Sequence, residues 1–267
     1  MARLDGVFFS KTLSRPVHFV AILSNDIAFG SENNPNFKRP TKNVYLLHGY
    51  SGCDTDWPSN VALGDLANRF NVNFFMPNGD NSFYLDNKAT GYKYASYVGQ
   101  EFIEYTRKTF NLSDKREDTF IGGLSMGGFG ALHTGFMFND TFSKVIALSS
   151  ALIQGMVKVL SPDMPENPMA NYDYYAWTFG IKKDVDFETS ENNPEYLVSR
   201  LVKEKKQIPD IYMACGTEDF LIEPNKQFKA FLDSQKVPVT FVTAPGIHDF
   251  VFWRKFLEEG LKWALEQ

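Results

Sequence analysis

Cysteine and histidine are scarce in this chain, with two of the first and four of the second. Two thiols, Cys53 and Cys215, could form one bridge, but nothing else suggests the disulfide framework of a secreted domain, and both are expected to be free. Neither has the spacing of a metal-ligand set and there is no H-E-x-x-H run, so no metal or organic cofactor is expected. Long apolar runs are missing too. Nothing approaches the length needed to span a membrane, and Val17–Leu23 is too short, too late and without a small-residue cleavage site to be a secretion signal. Cationic excess is absent: the formal charge is −5 with no basic cluster, which argues against nucleic acid or an anionic membrane as partner. Without repeats, low-complexity tracts or linkers, residues 1–267 are read as one domain. A soluble cytoplasmic protein is the expectation.

What is present is an ordinary globular composition, 43% hydrophobic and 22% charged over 267 residues, enough for one large core. Strands are predicted at Val7–Ser10 and Val17–Leu23, then a Pro/Asn-rich turn from Ser31 to Thr41. Asn43–Leu47 is a short apolar run suited to a central strand, followed by a helix near Asn60–Phe70 and a strand at Val72–Met76. Val98, Phe102, Tyr105 and Thr109 recur at helical spacing within Tyr94–Phe110. Further strands are predicted at Thr119–Leu124, Lys144–Ser149, Ile208–Cys215 and Val237–Thr243, with helices after Ser125, at Pro224–Gln235 and at the C-terminus. Strands alternating with helices predict an α/β protein, a mostly parallel sheet with helices on both faces. From Ala151 to Gln207 the rhythm breaks: Pro162, Pro165, Pro168 and Pro194, an aromatic patch from Tyr172 to Trp177 and two short helices form an insertion, read as a small cap over the site.

The sequence is organised around Ile121–Gly130, IGGLSMGGFG. Its centre, Gly123-Leu124-Ser125-Met126-Gly127, is a G-x-S-x-G pentapeptide between a strand and a helix. A serine on such a sharp turn is pushed clear of the sheet edge, and glycines are needed where strand and helix approach too closely for side chains. A Gly-rich turn with an incidental serine is the bland reading, and the flanking strand and helix favour the elbow.

A serine hydroxyl needs a base to take its proton. His18 lies in an early strand, and His48 ends the third strand, where it is suited to holding the next loop. His133 is eight residues along the helix from Ser125, roughly 12 Å at about 1.5 Å per residue, beyond hydrogen-bond reach. His248 remains, in Pro245-Gly246-Ile247-His248-Asp249 after the last strand. The carboxylate that orients it should lie on the turn after Ile211–Gly216, where Asp219 is preferred and Glu218 stays open on chemistry alone. The order Ser, Asp, His is the hydrolase order. Two backbone N–H groups would form the oxyanion hole, that of Met126 after the nucleophile and that of Tyr50 after His48-Gly49. Trp57, Phe129, Trp177 and Phe220 are candidate substrate-pocket walls, each equally suited to a core.

GGLSMGGFGAL, the upstream YLLHGYSG, the downstream CGTEDFL and the final GIHDF together resemble the esterase D-like branch of the α/β-hydrolases, and most of all the bacterial tributyrin esterases. The resemblance runs from about Ala2 to the C-terminus. It implies an α/β-hydrolase fold, hydrolysis of short-chain acyl esters through an acyl-enzyme, Ser125, Asp219 and His248 as the triad, and a tendency to form homo-oligomers. It favours Asp219 over Glu218. The family also includes S-formylglutathione hydrolases and feruloyl and acetylxylan esterases, so a thioesterase is the nearest enzymatic rival. The short cap and the lack of a secretion signal fit the secreted polysaccharide enzymes less well. From a different class, a non-catalytic binding module on a hydrolase fold is opposed by the intact set of three.

Overall fold

The computed structural model describes residues 1–25, 33–87, 90–163, 170–181 and 186–266. Two N-terminal strands, Ala2–Ser10 (β1) and Arg15–Leu23 (β2), form an antiparallel hairpin whose register runs from Ala2 opposite Leu23 to Ser10 opposite Arg15. Val72–Pro77 (β4) then pairs antiparallel with β2, and everything beyond it is parallel. With Lys42–Leu47 (β3), Thr119–Leu124 (β5), Lys144–Leu148 (β6), Asp210–Gly216 (β7) and Val239–Ala244 (β8), the order across the eight-stranded sheet is β1-β2-β4-β3-β5-β6-β7-β8.

The central strands are apolar on both faces because helices cover both. Along β3, Val44 and Leu46 point to one side and Tyr45 and Leu47 to the other, as the two-residue strand period requires. The helices in chain order are Asp56–Asn60 (α1), Leu63–Phe70 (α2), Tyr94–Ser96 (α3), Phe102–Phe110 (α4), Met126–Met137 (α5), Gln154–Lys158 (α6), Tyr172–Phe179 (α7), Pro194–Lys203 (α8), Ile222–Ser234 (α9) and Phe250–Leu265 (α10). One π turn, Tyr97–Glu101, joins α3 to α4, so the predicted helix over Tyr94–Phe110 is continuous but locally widened. Leu66 and Phe70 of α2 and Leu257 and Leu261 of α10 fill one face of the sheet. Phe102 of α4, Phe129 and Phe136 of α5, Leu197 and Leu201 of α8 and Phe228 of α9 fill the other. This is the α/β-hydrolase fold.

Two details differ from the sequence reading. The helix near Asn60–Phe70 is α2, Leu63–Phe70, and a separate short helix, α1, precedes it, the two parted where Val61 is extended at φ −129° and ψ 135°. The segment 151–207 holds three α-helices and a short 3-10 turn, Phe187–Thr189, among the described residues, and the last of them, α8, carries Leu197, Val198 and Leu201 into the core. Ser31 and Glu32 of the early turn, and Pro165 and Pro168, lie outside the described residues. No helix among those described is long and apolar enough to cross a membrane.

Candidate active site

Ser125 sits between β5, whose six residues are all buried, and α5. Its backbone is at φ 53° and ψ −118°, a left-handed conformation that a residue with a Cβ adopts only under constraint. The constraint is visible. Ser125 N–H donates to Leu148 O at 2.9 Å, while its carbonyl accepts from Phe129 N–H at 3.1 Å and Ala151 N–H at 2.9 Å. Both flanking glycines are sterically required. A Cβ at Gly123 would stand 2.2 Å from Gly127 O, and one at Gly127 would stand 2.3 Å from Leu47 O. Neither backbone oxygen can move without breaking the sheet-to-helix junction.

The loop after β3 is tied down from four directions. Trp57 Nε1–H donates to Leu47 O at 3.0 Å and the Tyr84 hydroxyl to His48 O at 3.0 Å. Gly79 N–H donates to His48 Nε2 at 2.8 Å, which leaves the ring proton on Nδ1, 2.7 Å from Gly49 O. Ser51 N–H donates to Asn81 Oδ1 at 2.7 Å. Burial pushes the His48 pKa down despite its bond to Gly49, so the ring is neutral and works as a brace. A Cβ at Gly49 would lie 2.8 Å from Leu124 Cδ1 and 3.6 Å from Ser125 Cβ, which places Gly49-Tyr50 directly beside the serine. The Tyr50 and Met126 backbones therefore come from two segments in contact at Ser125.

The carboxyl edge of β7 and β8 supplies the other two groups. Asp219, 2% exposed, accepts from Leu221 N–H at 2.8 Å through Oδ1. His248 Nδ1 lies 2.8 Å from Asp219 Oδ2 and 3.1 Å from Oδ1, and its Nε2 lies 3.0 Å from Ser125 Oγ. These three residues lie as many as 123 positions apart in sequence, and the sheet edge brings them within hydrogen-bond distance. Burial opposes ionisation of Asp219, but hydrogen bonds from His248, the Leu221 N–H and Ser149 outweigh it and hold the carboxyl below its ordinary range. An ionised Asp219 accepts the Nδ1 proton of His248, which leaves Nε2 as the lone pair facing the serine hydroxyl. That arrangement can deprotonate Ser125 as its oxygen attacks a carbonyl. Asp249, next in sequence, caps α10 by accepting from Phe252 N–H at 3.0 Å, so the helix cap is not His248.

The other histidines stay away from the serine. His18 is exposed on β2, and His133 is buried with Nε2–H donating to Glu191 O at 2.9 Å. Cys53 and Cys215 are both free; burial pushes the Cys215 thiol up to about 12, which keeps it protonated.

The four expected pocket walls divide. Trp57 and Phe129 are both 0% exposed, and this corrects the expectation for them. Trp57 packs edge-on against Phe250 while its indole braces Leu47, and Phe129 is enclosed by Phe83 and Phe179. Phe220 is 67% exposed with its ring 4.6 Å from that of His248. Trp177, also exposed, lines a cleft of about 320 Å³ with Asp80, Asn81, Tyr92, Tyr94 and Tyr174. None of Ser125, Asp219 or His248 lines that cleft. Tyr174, which also lines it, meets the Tyr50 ring edge-on at 5.7 Å and its hydroxyl donates to Asn81 O at 2.6 Å.

Trp253, on α10, carries no signal in the sequence beyond the helical spacing of the C-terminal helix. In the structure its ring stands perpendicular to His248 at 4.8 Å and its Nε1–H donates to Ser149 Oγ at 3.0 Å. Tyr84, inside a loop without periodicity, carried no signal at all.

Residues 31–264 match the family described as "Putative esterase". The chain belongs to this esterase family. It is 40% identical over 263 residues to an acetyl esterase of Caldicellulosiruptor saccharolyticus, covering 98% of each chain. Among solved structures, the esterase resembles the fluorophosphonate-binding serine hydrolase F of Staphylococcus aureus, with a TM-score of 0.84 at 30% identity over 100% of this chain and 99% of that one. An S-formylglutathione hydrolase of Staphylococcus aureus is also similar, with a TM-score of 0.80 at 30% identity over 99% of this chain and 98% of the other.

Proposed function

We propose that this esterase is a serine carboxylesterase that cleaves short-chain acyl esters in two steps through Ser125. The observation that carries the reading is the unbroken chain of contacts from Asp219 through His248 to Ser125, at 2.8 and 3.0 Å. Ser125 Oγ attacks the acyl carbonyl while His248 Nε2 takes its proton and Asp219 steadies the imidazolium. The oxyanion is received by the N–H groups of Tyr50 and Met126, the second at the positive end of α5. His248 then protonates the departing alcohol, and water repeats the attack on the acyl-enzyme to release the acid.

The acetyl esterase relative favours a small acyl group, and the S-formylglutathione hydrolase relative keeps a thioester as the second reading. In the first reading α6 and α7 act as a small cap within a single domain, supported by the contact of Tyr174 with Tyr50. The protein works in the cytoplasm, and its self-association follows from the resemblance alone.

The test is labelling with a fluorophosphonate, followed by turnover of p-nitrophenyl acetate to octanoate beside S-formylglutathione. Wild type labels and Ser125→Ala does not, and Asp219→Asn lowers kcat by about 10⁴-fold. Equal labelling of Ser125→Ala would end the enzyme hypothesis, and a preference of orders of magnitude for the thioester would replace the substrate class.

A further inference from the structure

His248 reaches both of its partners from a short loop, and something must hold that loop. Residues 245–248 lie between the end of β8 and the Asp249 cap of α10 and have no regular structure of their own. At the entrance Thr217 N–H donates to Ala244 O at 2.9 Å, and at the exit Asp249 N–H donates to Ile247 O at 3.0 Å. Ile247 is 56% exposed, so apolar packing contributes little in between.

In the middle of the loop, both backbone polar groups of Gly246 bond to the same residue. Glu218 N–H donates to Gly246 O at 3.1 Å, and Gly246 N–H donates to Glu218 Oε2 at 2.6 Å. We infer that Glu218 is a positioning residue: its carboxylate and N–H clamp Gly246 and so set the height of His248 above Ser125. The inference rests on the triad proposed above. Three features support it. The second bond is charge-assisted, the stronger kind, and Gly246 N–H is the foremost influence holding the Glu218 carboxyl below its ordinary range. Gly216 leaves room for the clamp, since a Cβ there would stand 2.1 Å from Gly246 O. Gly246 itself, at φ 154°, takes a conformation that other residues rarely adopt.

Two adjacent acids thus divide one task. Asp219 orients the imidazole directly, and Glu218 fixes the main chain that carries it. This also answers why chemistry alone left both open: each carboxylate is at the site, but only Asp219 faces the ring.

An exposed surface glutamate without such a role would be nearly silent on substitution. Misplacing a catalytic group by about 1 Å can cost about 10²-fold, so partial release of the loop should be readable in turnover. The experiment compares wild type, Glu218→Ala, Glu218→Gln and Ser125→Ala for kcat, KM and Tm on p-nitrophenyl acetate. Glu218→Ala is expected to lower kcat by about tenfold with KM within about twofold and Tm unchanged. Glu218→Gln, which keeps an oxygen acceptor for Gly246 N–H, is expected to recover to within about threefold of wild type. Both variants remove the charge, so their difference isolates the acceptor. Glu218→Ala turning over like wild type, or Glu218→Gln falling as far as Glu218→Ala, overturns the clamp. Activity that survives Ser125→Ala overturns the triad itself, and is distinguishable because the clamp's failure leaves Ser125→Ala inactive.

Discussion

Ser125 and His248, the proposed nucleophile and base, are held by opposite means. The serine elbow is placed by packing: residues 126–136 of α5 are all buried, and a Cβ on either glycine beside Ser125 would strike a backbone oxygen, of α5 at Gly123 and of β3 at Gly127. The histidine loop is placed by hydrogen bonds at a surface, with Glu218 and Asp219 on one side and the α10 cap on the other. A packed elbow can store the strain of φ 53° because the surrounding core overdetermines it. A loop held by a handful of polar contacts is easier to displace, and it carries the imidazole proposed to take and return the proton. The comparison therefore predicts that damage to the elbow is read in folding, whereas damage to the loop is read in turnover.

The largest effect should come from the elbow. Gly127→Ala forces a Cβ to within 2.3 Å of Leu47 O, a backbone atom of a central strand. We expect a loss of about 3 kcal/mol and a Tm lower by about 10 °C, measured by thermal unfolding. A variant that folds as wild type but has slow turnover would place the elbow in the same class as the loop.

Next is a pH effect confined to the packed helix. Burial pushes His133 down to about 4, partly offset by its bond to Glu191 O, and its buried Nδ1 finds no hydrogen-bond partner. The folded pKa lies below the unfolded value of about 6.5, so the unfolded chain binds more protons between them and stability rises with pH. The His133 contribution is complete above about 6.5 and is lost as pH falls towards 4, at up to about 1.4 kcal/mol per pH unit. Urea unfolding of wild type between pH 7 and pH 5 should show a fall of about 2 kcal/mol from this residue. His133→Gln should be flatter by that amount, and an unchanged slope would mean the histidine titrates normally in the fold.

The smallest effect belongs to the loop's exposed flank. Phe220→Ala removes a ring 4.6 Å from His248 but at 67% exposure contributes little burial. Its Tm should stay within about 1 °C while kcat/KM changes by less than about threefold. A loss of more than tenfold would show that aromatic packing, and not polar contacts alone, places the base.

Much of the fold was legible because its signals are local. Buried strands such as Asn43–Leu47 and Lys144–Ser149 read as short apolar runs, and the α10 row from Phe250 to Ala264 reads at helical period. The separate short helix α1 was not legible, since nothing in that stretch announces a helix that stops at the extended Val61. Trp57 and Phe129 were misplaced as pocket walls because an aromatic side chain gives the same pattern in a core and in a binding surface. Trp253 and Tyr84 were missed for the complementary reason: their partners, Ser149 and His48 O, are distant in sequence.

By itself, the sequence determined the strand-turn-helix around Ser125, the elimination of three histidines and the edge of the sheet at which an acid must lie. These follow from periodicity, turn chemistry and the reach of a helix, all short-range properties. Only the tertiary structure separates the contacts of the two acids. Asp219 and Glu218 are neighbours of like chemistry, and they are told apart by what the β8 loop presents to each: an imidazole Nδ1 to the first and a backbone N–H to the second. A contact between positions 29 apart depends on how two parallel strands bring their ends together, and no local pattern encodes that distance.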